Sequence, residues 1–225
     1  MVAQAATTND AKKADRSGDD FRARFARLAE NPEQLPPDQR LHALFDLAWE
    51  RTMAWNPEFA THVGYEAGAH GAWSDIALTT IEDHRAQYGD PLPVLDVIDP
   101  EDLSVSDRLN HELFRKEVED AVEGTRFPDH LMAMDQMNGL QLSATRMLAM
   151  MPTRNGEDYE NILSRLSGLP LLIDQTIALL DMGLAEGWTQ PRVTLREVPD
   201  QIGSLITADA MSSPLLYPFK ASRRR

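Results

Sequence analysis

The chain of 225 residues has no cysteine, which excludes disulfide scaffolds, thiolate zinc sites and cysteine nucleophiles together. Positive charge is scarce as well: 22 Lys and Arg against 36 Asp and Glu leave a net charge of −14. A nucleic-acid binder needs a basic face to neutralise phosphates, and adsorption to anionic lipid needs the same, so neither partner is expected. No consecutive apolar run approaches the roughly 18 residues that a bilayer span requires, and no membrane span is expected. The N-terminus, Met1 to Thr8, has neither the basic region nor the apolar region of a signal peptide. As the sequence stands, that points to the cytoplasm. Period-two alternation is also missing, so no strand is predicted.

What remains is helical punctuation around an ordinary globular composition, 42% apolar and 26% charged. Residues 1–18 read as a disordered polar tail, 19–220 as a helical region and 221–225 as a basic end. Phe21, Phe25 and Leu28 share a face of a first helix that Asn31-Pro32 stops, and Asp38 is placed to cap the second. Leu41, Leu44, Phe45, Ala48, Thr52 and Trp55 follow helical spacing until Asn56-Pro57. A glycine loop holds Gly64, Gly68 and Gly71, and Thr79-Thr80-Ile81-Glu82 has the form of a capping box. Ser104 opens a helix whose predicted buried face is Leu109, Leu113, Phe114, Val118 and Val122, with Gly124 as its C-cap. Residues 125–152 look irregular. From Tyr159 to Leu184 the apolar spacing predicts either one helix kinked at Pro170 or two meeting there, ended by Gly187. Pro191 starts a last helix carrying Leu195, Val198, Ile202, Leu205 and Ile206. The fold class is all-α, an irregular multi-helix array.

Candidate chemistry is sparse. Without cysteine a metal site must use histidine, and His111-Glu112-Leu113-Phe114-Arg115 misses the zinc-helix pattern because a guanidinium replaces the second imidazole. His111 is therefore expected to be a partly exposed helix residue. His62 and Glu66 do not complete a ligand set, and His70 reads as a solvated loop residue. No Gly-x-Ser-x-Gly elbow and no phosphate-binding glycine loop is present. Met132, Met134, Met137, Met147, Met150 and Met151 are expected to line a core or cleft; a soft Cu(I) site is the sharper alternative for their spacing of three.

Several stretches, taken in order, resemble one bacterial family. They are Asn56-Pro57-Glu58-Phe59-Ala60-Thr61-His62-Val63-Gly64-Tyr65, Trp73-Ser74-Asp75, Leu103-Ser104-Val105-Ser106-Asp107-Arg108-Leu109-Asn110 and Asp135-Gln136-Met137-Asn138-Gly139. Asp158-Tyr159-Glu160-Asn161, Asp174 to Leu180 and Gly187-Trp188-Thr189-Gln190-Pro191 continue the series. The chain resembles the N-terminal part of the family called domain of unknown function 885. The resemblance implies the N-terminal portion of a larger helical, peptidase-like fold, and relatives that look like zinc-dependent hydrolases and are often exported. It places the zinc on a His-Glu stretch followed by Gly-His-His, which this chain lacks, so no catalytic and no metal-binding residue carries over. Gln136, Asn138 and Gly139, in the irregular segment, are the candidate substrate-cleft residues, because binding groups favour loops on a rigid scaffold.

The expected role is thus the scaffold and cleft half of a zinc peptidase-like hydrolase, truncated, inactive alone and free of cofactor. Its expected partner is a downstream C-terminal segment or a second copy, met through apolar helix faces. The alternative is a stand-alone helical interaction module without catalysis.

Overall fold

In the computed structural model, residues 18–31, 33–207 and 209–221 are described. The predicted tail, but for Gly18, and most of the basic end lie outside them. Every regular element among the described residues is helical, and none is a strand. The chain divides into two compact units, residues 1–54 with 79–127 and residues 55–78 with 128–225.

The first unit is built from α1 (Gly18–Glu30), α2 (Pro37–Trp55), α4 (Leu78–Arg85), α5 (Leu92–Asp96) and α6 (Val105–Gly124). Its core gathers Phe21 and Phe25 of α1, Leu41, Leu44, Leu47 and Ala48 of α2, and Val94 and Leu95 of α5. Arg40 is buried within it and donates to the carbonyl oxygens of Leu28, Asn31 and Leu35. One planar guanidinium thereby satisfies the chain as it turns from α1 into α2. Arg51 lies 4.7 Å from the centre of the Phe25 ring and donates to the Gln87 carbonyl oxygen at 2.8 Å.

Capping explains several boundaries and corrects others. The Ser104 hydroxyl accepts the Asp107 amide, as its position at the start of α6 predicts. Asp38 is not a cap: α2 begins with Pro37, which fits the first helical turn because its missing N–H needs no partner there. Thr79 likewise falls inside α4, which starts at Leu78, so no capping box forms. Gly124 is the last residue of α6 rather than its cap, a place taken by Thr125.

The predicted face of α6 is also revised. His111 and Val118 are its buried residues, while Leu109 and Leu113 are 55% and 60% exposed. His111 is thus a core residue, contrary to the expectation of a partly exposed one. Its Nε2 lies 3.1 Å from the Leu95 carbonyl oxygen, a hydrogen bond that makes burial of the ring tolerable.

The second unit contains α3 (Pro57–His62), α7 (Leu140–Met150), α8 (Gly156–Glu186), α9 (Arg192–Leu195), α10 (Val198–Gly203) and α11 (Tyr217–Ala221). The methionine-rich stretch predicted to be irregular holds α7, whose Met147 and Leu148 pack with Met151 and Ile162. Of the two readings at Pro170 the single helix is the observed one: α8 runs through the proline for 31 residues. Asn155 caps its start by accepting the Asp158 amide, and Gly187 ends it with φ 77°. The predicted last helix is split into α9 and α10, with Pro199 at the second position of α10.

By length and composition α8 is long and apolar enough to cross a membrane. No consecutive apolar run marks it in the sequence, because Ser, Thr, Gly and Gln interrupt the apolar residues. The same helix buries Asp158, Arg165 and Thr176 and packs Ile162, Leu169 and Leu172 into the unit's core, while 28% of its apolar window is buried.

Candidate functional site

Arg165 organises the second unit. It sits in the apolar register of α8 between Ile162 and Leu169, and its side chain is completely buried. Nε donates to the His70 carbonyl oxygen at 2.8 Å, and Nη2 donates to the Pro57 carbonyl at 3.0 Å and to Thr61 Oγ1 at 2.8 Å. Burial pulls the guanidinium down to about 10, against an upward pull from the Glu58 charge. Arg165 therefore fastens both α3 and the glycine loop to α8. His70, predicted to be solvated, is half-buried and lies within 3.1 Å of Thr61 Oγ1 through Nδ1.

The end of that loop is fixed by the residues that follow. Trp73 reaches across α8 at Gly168, where an added Cβ would come within 3.2 Å of the indole. Glu58, in the first turn of α3, accepts the Ser74 amide at 3.0 Å and the Ser74 hydroxyl at 2.5 Å. Asp75 accepts from Gln175 on α8. The stretch Trp73-Ser74-Asp75 is thus pinned at each residue.

Facing it is the segment leading into α7. The Asp135 carboxylate accepts the Met137 and Asn138 amides at 2.6 and 2.8 Å, and these bonds hold its pKa below the usual carboxylate range. Gln141, buried at the start of α7, donates to the Asp135 carbonyl at 2.7 Å and to Gln201 Oε1 at 3.1 Å. Gln201 in turn donates to the Gln136 carbonyl. Gly139 has φ 123°, which admits glycine readily and other residues only with strain.

Between these walls lies a cavity of about 520 Å³. Phe59, Trp73, Ile76, Leu140, Met147 and Leu172 supply apolar surface, and Glu58, His62, Ser143, Arg146 and Thr176 supply polar groups. Of the three candidate cleft residues, Gly139 lines this cavity. Asn138 is exposed and bonded to Asp135, and Gln136 is half-buried with its backbone tied to Thr194 and Gln201. Met147 and Met150 face the cavity, Met151 is buried, and Met137 is 70% exposed.

Sequence reading did not single out Glu58, Trp73, Arg146 or Arg165 as site residues. For Arg165 a signal existed, since a charge sits at an apolar position of the helix. Arg146 carries no such signal, because residues 125–152 look irregular in the sequence. Among the described residues no three His, Asp or Glu side chains gather into a group that could hold a metal. The described residues therefore do not fit the zinc that the family resemblance implies.

A family profile described as bacterial protein of unknown function, DUF885, matches residues 57–224. No curated protein and no solved structure matches the chain.

Proposed function

The chain belongs to this bacterial family of unknown function, and from that premise we propose that it forms a substrate-binding wall of a peptidase-like hydrolase and performs no hydrolysis by itself. The cavity carries the reading. It is mostly apolar, its walls are pinned by Arg165, Glu58 and Gln141, and its size falls within the range of small-molecule sites. Rigid support of this kind is what a binding surface requires, because each group fixed beforehand lowers the ordering cost of binding. Gly139 contributes to the wall directly, while Gln136 and Asn138 shape the turn that presents it. The exposed apolar residues of α8, among them Leu163, Leu171, Ile177 and Leu184, support association with a further helical segment or a second copy.

Purified protein, washed with chelator and supplied with zinc, tests the absence of chemistry. No cleavage of short peptides and no tightly held zinc is expected. Turnover that depends on one zinc per chain would overturn the reading.

A second reading, an interaction module without catalysis in any assembly, draws on α6. Val105, Leu109 and Leu113, spaced four apart, are 87%, 55% and 60% exposed. Such a stripe is a docking face for another helix. Capture of a macromolecular partner that substitutions along α6 abolish, with no small ligand entering the cavity, would favour it.

A further inference from the structure

Arg146 lies in the cavity lining of the second unit, on the exposed side of α7, one helical turn from Met150. Among the described residues its guanidinium makes no hydrogen bond, ion pair or ring contact. Other arginines of this acidic chain are engaged: Arg24 with Glu50, Arg108 with Glu101, Arg115 with Asp96, Arg126 with Glu123. The acid in the same lining, Glu58, directs both oxygens at Ser74 and is not within ion-pair distance of Arg146. The cavity thus combines an apolar wall with a cation that no group among the described residues neutralises.

We propose that this cavity takes an amphipathic carboxylate, its apolar body against Trp73, Met147 and Leu172 and its carboxylate on Arg146. The proposal rests on the reading of the cavity as a binding wall and adds the ligand's chemistry. A guanidinium matches a carboxylate with two parallel N–H donors, and it repels an ammonium head group. Ser143 precedes Arg146 by three residues, so it shares the cavity-facing side of α7 and offers a hydroxyl to the same oxygens. Two sources share this chemistry, the C-terminal end of a peptide with apolar side chains and a medium-chain fatty acid.

Calorimetric titration of the whole chain with two matched pairs distinguishes them: N-acetyl-leucyl-leucine against its amide, and octanoate against octanamide. In at least one pair the acid should bind about tenfold more tightly than the amide, the increment of a charge-assisted hydrogen-bonded contact. Arg146→Gln should erase that difference and melt as the parent does, since the residue is exposed. The pair that shows the difference identifies the source. Equal binding of acid and amide, or a preference that survives R146Q, overturns the role of Arg146 while the binding-wall reading stands. No binding by any of the four compounds overturns both.

Discussion

Arg165 and Trp73 hold each other twice. The Trp73 indole Nε1 donates to the Arg165 carbonyl oxygen at 2.7 Å, and the Arg165 guanidinium carbon lies 5.0 Å from the centre of the Trp73 ring. One contact uses the backbone of α8 and the other its side chain, so the loop wall of the cavity is fixed to the helix at both levels. Replacing a buried charge with an apolar residue can be harmless where its partners go with it. Here the partners are the His70 and Pro57 carbonyls and the Thr61 hydroxyl, which remain. Arg165→Leu should therefore cost about 3 kcal/mol or more, read as a lower urea midpoint with unchanged slope. Arg165→Lys should fall between, because a point charge cannot fork to all three acceptors. A leucine variant with the parent midpoint would show that the anchor is dispensable.

Gly139→Ala should cost about 2 kcal/mol, the scale of a non-glycine residue forced into such a conformation. The added Cβ would also meet Gln141 Oε1 at 2.5 Å and Met134 Cγ at 3.0 Å. Gly156→Ala, at the first residue of α8 with nothing within 4 Å, is the control and should be neutral or slightly stabilising. Thermal melts of the pair decide the matter; equal melting temperatures would refute the strain argument.

Asp90 predicts a pH signature in the first unit. Burial raises its pKa above 3.8 in spite of attraction from Arg22 and Arg51. The folded state thus binds the proton more tightly than the unfolded state does, and this group's contribution to stability falls as pH rises from 3.8 through the raised value. Asp90→Asn should consequently match or exceed the parent in stability at neutral pH. Its advantage should shrink as pH is lowered toward 3.8. Chemical denaturation at a series of pH values tests this, and an advantage that grows on acidification would contradict it.

The exposed side of α8 should drive self-association. Leu171, Ile177 and Leu184 are 64%, 49% and 72% exposed, and a helix apolar on several sides expects partners on several sides. Replacing these three by serine should lower the apparent mass in light scattering at high protein concentration without lowering the melting temperature. A parent protein that stays monomeric across that range would remove the basis for a partner on this face.

The sequence is most informative where local rules dominate. Ser104 announces a helix start, Gly187 announces a stop, and Phe21 with Phe25 gives the buried side of α1 correctly. It is least informative where tertiary packing decides. Leu109 and Leu113 look like core residues by spacing, yet α6 turns His111 and Val118 inward. His111 can be buried because the Leu95 carbonyl lies beside it, a contact that no spacing rule encodes. For the cavity, the family resemblance drew attention to residues 135–139, and Gly139 lies on its wall. Arg146 is hidden because α7 follows an irregular turn that Gln141 ties to Gln201, 60 residues away, a contact no local spacing encodes.

The most direct test of the binding wall follows the Trp73 indole proton by nuclear magnetic resonance during titration with N-acetyl-leucyl-leucine. Trp73→Phe assigns the signal. Trp73 lines the cavity, whereas Trp49 lies on α2 in the first unit and serves as an internal reference. A saturable shift of the Trp73 signal with the Trp49 signal unmoved, and the peptide intact afterwards, is the predicted result. A Trp73 signal that stays in place to millimolar peptide, or a peptide cleaved by chelator-washed protein, would contradict it.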